Sequence, residues 1–306
     1  FLSIGKLNRE FYLYHGIKEK KIYNSPYFVD NNFFNIKDRK KKLKKKLNLN
    51  YKNIILFVGK FVDRKRPFDF LELARINKEN KNLLFLMIGD GLLKKKCTKF
   101  AKQNKLDNLF IKGFVNQNEL RKYYKISDVL VQTSSYETWG LTINEAMASG
   151  IPVICTKDCG AYTDLIKENK SGLGYNAGNI KQLNFKINSL LINKFRFKKS
   201  NIKKIISEYT INKTINSIEK ILYAKKNKKI LIIGSNEKFS LENMYFRAFK
   251  SLKHNVHFHH VYNIRKNLVE KFLWKYCKFF FFLFIRKKII NFLKLKRNYY
   301  DLIIIF

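Results

Sequence analysis

The chain has 306 residues, enough for about two domains and a sizeable core. A hydrophobic share of 46%, with 28 Phe and 17 Tyr, excludes a disordered chain, and only 3 Pro and 13 Gly exclude collagen-like and low-complexity readings. Lys and Arg number 63 against 23 Asp and Glu, a formal charge of +40 that suits nucleic acid or anionic lipid, although a bias toward Lys, Ile, Asn, Phe and Tyr is also what an AT-rich genome produces.

The opening, "FLSIGKLNREFYLYHG", reads as a strand-like run and then a helix-like one, without an initiator Met, as though cut from a longer chain. Residues 1–29 form one segment, in which His15 reads as a surface or packed side chain. Residues 30–50, with "NNFFNIKDRKKKLKKKLNL", lack a clean apolar period and read as a linker plus a solvated helix. Over 51–224, apolar runs alternate with amphipathic ones. "NIILFVG", "LLFLMIGDG", "LFIKGFV", "DVLVQTS" and "PVICT" are at least five predicted strands with helical stretches between them. That rhythm predicts an α/β domain, a Rossmann-like doubly wound parallel sheet.

After a charged break at Lys225, "KILIIGSNEKFS", "LENMYFRAFKSLK" and "NVHFHHV" open a second, partial Rossmann-like unit over 229–306. It continues through a long basic helix at about 266–294 to the strand-like "YYDLIIIF". His257 and His259 would share one strand face, but the sequence supplies no further metal ligand. The aromatic and basic helix reads either as packed or as lying at an anionic membrane interface, and no apolar stretch approaches the roughly 20 residues that span a bilayer. Cys97, Cys155, Cys159 and Cys277 lack zinc-site spacing and read as reduced thiols of a cytoplasmic protein.

Ligands of such sheets bind outside the carboxyl ends of the strands. After the first predicted strand, "GKFVDRKRP" offers Gly59 for close backbone approach and Lys60, Arg64, Lys65 and Arg66 in one loop, either a diphosphate site or a solvated basic loop. Later, "SSYETWGLTINEAMASGIP" separates Glu137 from Glu145 by seven residues. A helix beginning near Leu141 puts Glu145 one turn inside and Glu137 in the preceding loop. Free amides near Gly140, Leu141 and Thr142 then form an anion site. The carboxylates suit sugar and ribose hydroxyls, or, alternatively, merely complement the helix dipole.

This last segment resembles the paired-glutamate motif of the retaining glycosyltransferases of family 4, also called group 1, whose GT-B fold sets two Rossmann-like domains face to face. In family order, "VGKFVDRKRP" resembles the phosphate loop, "MIGDG" the glycine turn, "IKGFVNQNEL" the nucleobase loop and "GAYTDLIKENKSGLGY" the closing loop. "GKLNREFYLYHGI" through "SPYFVDNNFF" resembles the end of the first domain and the interdomain crossing, and 229–306 the start of a second GT-B enzyme.

The resemblance implies transfer of a sugar from a nucleotide diphosphate sugar, UDP- or GDP-linked, to a hydroxyl of a glycan or lipid-linked acceptor. Configuration is retained, as in polysaccharide or glycoconjugate biosynthesis. It implies Lys60 and Lys65 on the diphosphate, Lys60 standing where Arg is usual, with Glu137 on the transferred sugar and Glu145 on the ribose. Gly59, Ser134, Gly140, Leu141 and Thr142 complete the donor-binding set. Phe114, Val115 and Leu120 either border the base or pack in the core. Neither a metal nor a cofactor beyond the donor is implied. Most of an acceptor-binding domain is missing, so little turnover is expected. A cytoplasmic location, with peripheral contact at the inner membrane face, fits this reading. The competing readings are a basic module binding nucleic acid or anionic membrane, without a specific nucleic-acid motif, and a nucleotide-sugar epimerase of the same fold.

Overall fold

The structure, a computed structural model, describes residues 1–49, 51–221, 229–234, 241–251, 253–260 and 302–305. It divides into two units, Phe1–Thr210 and Ile211–Phe306.

In the first unit β1 (Leu2–Ser3), α1 (Lys6–Tyr14) and β2 (Tyr23–Asn24) are followed by α2 (Asn31–Phe34) and α3 (Lys40–Lys46). Then β3 (Asn53–Val58), α4 (Pro67–Ile76), β4 (Leu83–Ile88), α5 (Lys94–Gln103), β5 (Leu109–Gly113) and α6 (Gln117–Ile126) alternate. The alternation continues through β6 (Val129–Gln132), α7 (Leu141–Ser149), β7 (Val153–Thr156), α8 (Tyr162–Leu165) and β8 (Gly172–Tyr175) to α9 (Ile180–Ile192) and α10 (Lys199–Ile206). Residues 1–50 thus belong to the same unit as the sheet.

Six strands form one sheet in the order β5-β4-β3-β6-β7-β8, every pair parallel. This is the doubly wound order, reversing between β3 and β6, where a crevice opens outside the carboxyl ends. β3 and β4 are apolar runs buried on both faces, while the edge strand β5 is only partly covered. Ile54, Leu56, Leu84, Leu86 and Leu130 pack under α6 and α7. Ile55, Phe57, Phe85, Met87 and Val131 pack under α4, α5 and α9. Each such side chain contributes roughly 1.5–3 kcal/mol on burial.

Two expectations change. "GLGY", read as part of a closing loop, is β8, the sixth strand, paired with β7. A Cβ at Gly174 would stand 2.4 Å from the Tyr162 ring of α8 and one at Gly172 2.0 Å from the Val153 carbonyl oxygen, so the apolar pattern of a strand is absent for a steric reason. The lysine-rich α3, expected to be solvated, is docked: Leu43 is buried, and Lys40 and Lys44 turn inward.

The second unit contains α11 (Ile211–Ile221), β9 (Lys229–Gly234), α12 (Leu241–Ser251), β10 (Asn255–His260) and β11 (Leu302–Ile305). Its parallel sheet runs β10-β9-β11, with Ile230, Ile232, Phe249 and Val256 buried. The helix expected at 266–294, and Cys277 with it, lies outside the described residues. No helix among the described residues is long and apolar enough to cross a membrane.

Candidate functional site

After Val58 the chain passes Gly59 and Lys60, makes a 3-10 turn over Asp63–Lys65 and reaches left-handed Arg66 before Pro67 starts α4. Gly89, just after β4, has φ +148°, and a Cβ there would fall 1.8 Å from the Gly59 carbonyl oxygen. The close contact of these two backbones rests on Gly89, because a Cβ at Gly59 itself would meet no protein atom nearer than 3.6 Å.

The loop after β6 is fastened to this turn through the backbone. Ser135 N–H donates to Arg64 O at 3.0 Å, and Thr133 Oγ1 donates to Lys65 O at 2.6 Å. Lys65 Nζ is thereby set on Glu137 Oε2, and Arg64 Nη1 reaches the same oxygen at 3.1 Å. The Lys65 and Glu137 side chains are only 13% and 11% exposed, so their attraction acts with little screening. Arg64 was named in the basic loop but not carried into the donor-binding set; its pairing with Glu137, in a distant segment of the chain, was not visible in the sequence. Arg66 points elsewhere, forking onto Asp69 at 2.7 and 3.0 Å, and this hydrogen bonding raises its guanidinium pKa further. Lys60 is exposed and forms no ion pair among the described residues.

The helix α7 begins at Leu141, with Gly140 as its N-cap at φ +98°. A Cβ on Gly140 would sit 3.0 Å from Cys159 Sγ and 3.4 Å from Glu137 Cγ, so only glycine fits conformation and space. The N–H groups of Gly140, Leu141 and Thr142 have no acceptor among the described residues. Buried beside this run in sequence, Ser134 Oγ and Thr142 Oγ1 also lack a protein partner, as do both amide atoms of Gln132 at the end of β6. Gln132 was not foreseen, since an amide closing a strand carries no sequence signal.

Glu145 has a different setting from Glu137. It is 8% exposed, and its Oε2 accepts a 2.7 Å hydrogen bond from the buried Tyr124 hydroxyl of α6. Burial, opposed by that bond, pushes its carboxyl up to about 7. Of the three apolar residues read as bordering the base or packing in the core, Leu120 is in the core with Tyr124, Val115 is half-buried against the same cluster, and Phe114 is 79% exposed. Cys159 Sγ donates to Trp139 O at 2.8 Å, and burial pushes its thiol up to about 12, so it remains protonated and is no nucleophile at neutral pH.

The amino-terminal segment braces α7 from behind. Trp139 Nε1 donates to Asn144 Oδ1 at 2.9 Å, and Asn144 Nδ2 donates to Tyr27 O at 3.0 Å. Lys6 N–H bonds Asp164 at 3.1 Å, fixing the start of α1 beside α8. His15 is the exposed C-cap of α1. Together the two loops and the start of α7 present cations, unused amides and one half-shared carboxylate. That combination is able to hold an anion with a hydroxyl-bearing group next to it.

A family model described as "Glycosyl transferases group 1" matches residues 38–213. The alpha-monoglucosyldiacylglycerol synthase of Acholeplasma laidlawii is 30% identical over 164 residues, which are 53% of this chain and 39% of that protein. The chain thus spans well under half of that relative's length. The crystal structure of the C-terminal domain of a glycosyl transferase group 1 family protein from Francisella tularensis superposes with a TM-score of 0.55 at 27% identity, covering 60% of this chain and 99% of that one. Anabaena HepE, crystallised in complex with UDP, superposes with a TM-score of 0.64 over 73% of this chain and 63% of its own; at 18% identity this is a likeness of fold.

Proposed function

Because the chain belongs to the glycosyl transferases group 1 family, we propose that it carries the donor-binding half of an enzyme that moves a sugar from a nucleotide diphosphate sugar to a hydroxyl, with retained configuration. The convergence of Lys65 and Arg64 on Glu137, beside the open start of α7, is the observation that supports this reading. As the bond to the sugar breaks, negative charge grows on the leaving diphosphate. Lys60 and Lys65 and the amides of Gly140, Leu141 and Thr142 are suited to receive it. A bound diphosphate competes with Glu137 for Lys65, freeing the carboxylate to face the sugar as it turns oxocarbenium-like. Ser134 Oγ and Thr142 Oγ1, buried and unpartnered, are hydrogen-bonding groups for the same ligand.

Glu145 faces the ribose in this reading only by giving up the Tyr124 hydroxyl or by using its second oxygen. UDP is the first nucleotide to test, because HepE was crystallised with it; GDP is the second. The acceptor is a glycan or a lipid-linked hydroxyl, held by the part of the enzyme that this chain does not cover, and the reaction belongs at the cytoplasmic face of a membrane. No metal enters the proposal.

Calorimetric titration with UDP, GDP and their sugar conjugates tests it. Lys65→Ala is expected to weaken binding at least tenfold, about 1.4 kcal/mol. A folded chain that binds none of these nucleotides overturns the reading.

A further inference from the structure

At the amino-terminal ends of the strands, opposite the crevice, cations crowd together. Asp128, just before β6, accepts from Lys40 of α3 at 3.0 Å and from Lys194 at 2.9 Å, and Lys194 also donates to Asn53, the first residue of β3. The carboxylate thereby binds α3 to the 3-10 turn Lys194–Arg196 that follows α9. Outside this knot, Lys41, Lys42, Lys45 and Lys46 are exposed, as is Arg196. Lys125, at the end of α6, and Lys203, in α10, extend the cluster and feel Lys199 as a shared neighbour.

Burial and neighbouring charge both act on the side chains here. Among the described residues, the lysines whose pKa is lowered are Lys40, Lys44, Lys125 and Lys203, all within this end of the unit. Burial is the first cause in each, and a positive neighbour adds to it in each: Lys44 and Lys194 for Lys40, Lys194 for Lys44, Lys199 for Lys125 and Lys203. Asp128 opposes the effect on Lys40 and Lys44, and Asp38 that on Lys125. Lys41, Lys42, Lys45, Lys46 and Arg196 form no ion pair among the described residues, so positive charge here exceeds what the unit neutralises.

Apolar side chains stand next to this field. The outer face of α9 carries Phe185 at 69% exposure and Ile192 at 77%, one heptad apart and about 10 Å along the helix. Phe195, in the turn bound to Asp128 through Lys194, is 69% exposed, with the Arg196 guanidinium 5.8 Å from its ring. Large apolar side chains held out into water within a cationic border mark an interaction surface.

We propose that this face is a docking surface for an anionic lipid bilayer, with Ile192 and Phe195 entering the boundary between headgroups and acyl chains while the α3 lysines rest on headgroup phosphates. A bilayer fits better than nucleic acid for two reasons. Lysines are point charges suited to a diffuse field of phosphates, whereas base recognition draws on arginine forks. An isoleucine beside a phenylalanine is an insertion pair, and it offers no aromatic platform for stacked bases. Because the sheet is parallel, docking at this edge leaves the crevice a strand length, about 20 Å, from the bilayer surface. The chain is concentrated at the membrane without burial of its crevice.

Cosedimentation of the 306-residue chain with vesicles of phosphatidylcholine alone, or with added phosphatidylglycerol, tests the surface. The chain is expected on the anionic vesicles only, and to leave them as salt rises. Lys41→Gln with Lys45→Gln lowers binding by about fivefold for each charge removed. Ile192→Ser with Phe195→Ser lowers it by about tenfold or more and leaves the salt dependence in place. Lys95→Gln with Lys99→Gln, exposed lysines of α5, removes the same charge elsewhere and leaves binding unchanged. All six positions are exposed, and circular dichroism confirms that each variant is folded. Absence of wild-type binding, or equal losses in the α3 and α5 variants, overturns the proposal. So does a loss of duplex DNA binding in the α3 variant with vesicle binding intact.

Discussion

Gly140 and Glu145 are the residues on which the site's construction depends most. At φ +98°, with a would-be Cβ 3.0 Å from Cys159 Sγ, Gly140 has no tolerated substitute. Gly140→Ala is expected to lower stability by about 2 kcal/mol, read as a lower urea midpoint at unchanged slope. Glu145 adds a pH dependence. Its carboxyl sits at about 7 when folded against an ordinary 4.5, so the folded chain binds the extra proton between those values. Stability therefore falls as pH rises from 4.5 through 7, by an amount of order 3 kcal/mol. Glu145→Gln has no proton to lose, and its stability is expected to stay flat across that window.

At the scale of elements, Asp128 is the tie between β3, α3 and the turn after α9. Besides the two lysines, it accepts from Ile54 N–H at 2.9 Å. Burial pushes its carboxyl up, but Lys40, Lys194 and that amide outweigh burial and hold it below the ordinary 3.8. Its stabilisation is thus present above that value and lost as pH falls. Asp128→Ala is expected to cost about 2 kcal/mol in urea unfolding, since it removes the acceptor shared by two lysines and the Ile54 N–H, while the exposed pair-breaking change Lys78→Ala costs nothing measurable. Asp128 also illustrates where sequence reading stops. The four inner strands, β3, β4, β6 and β7, were legible because burial on both faces writes apolar runs such as "NIILFV". β8 was not, because the packing of Tyr162 requires glycine where a strand would show Val or Ile. The docking of α3 was hidden behind lysines whose stems and ammonium groups, not an apolar stripe, make the contact. In the site, the start of α7 was legible from spacing within one short segment, while Glu137 and Lys65 were singled out through the family resemblance. The Tyr124–Glu145 bond and the role of Arg64 were not legible, because each joins residues brought together only by the sheet.

At the scale of the molecule, unit Phe1–Thr210 holds the whole candidate site and two apolar clusters, one on each face of its sheet. Residues 1–210 expressed alone are expected to unfold in one cooperative transition and to bind nucleotide as the full chain does. Two transitions, or loss of binding, would show that Ile211–Phe306 is required to complete the unit.

The reversal of strand order between β3 and β6 also governs when the site comes into being. Lys65 and Glu137 are 72 residues apart, and they meet only once β6 has joined β3. During synthesis β3 and β4 are the first strands of this sheet to emerge and can register side by side, whereas the β3 edge that β6 will occupy stays open until two further helices and a strand have left the ribosome. Closing so long a loop is slow, and the exposed edge is the vulnerable surface of the nascent chain. Assembly of the Lys65–Glu137 pair and sealing of that edge are one event, so ligand competence should appear in refolding together with the last protection of β3 amides from hydrogen exchange.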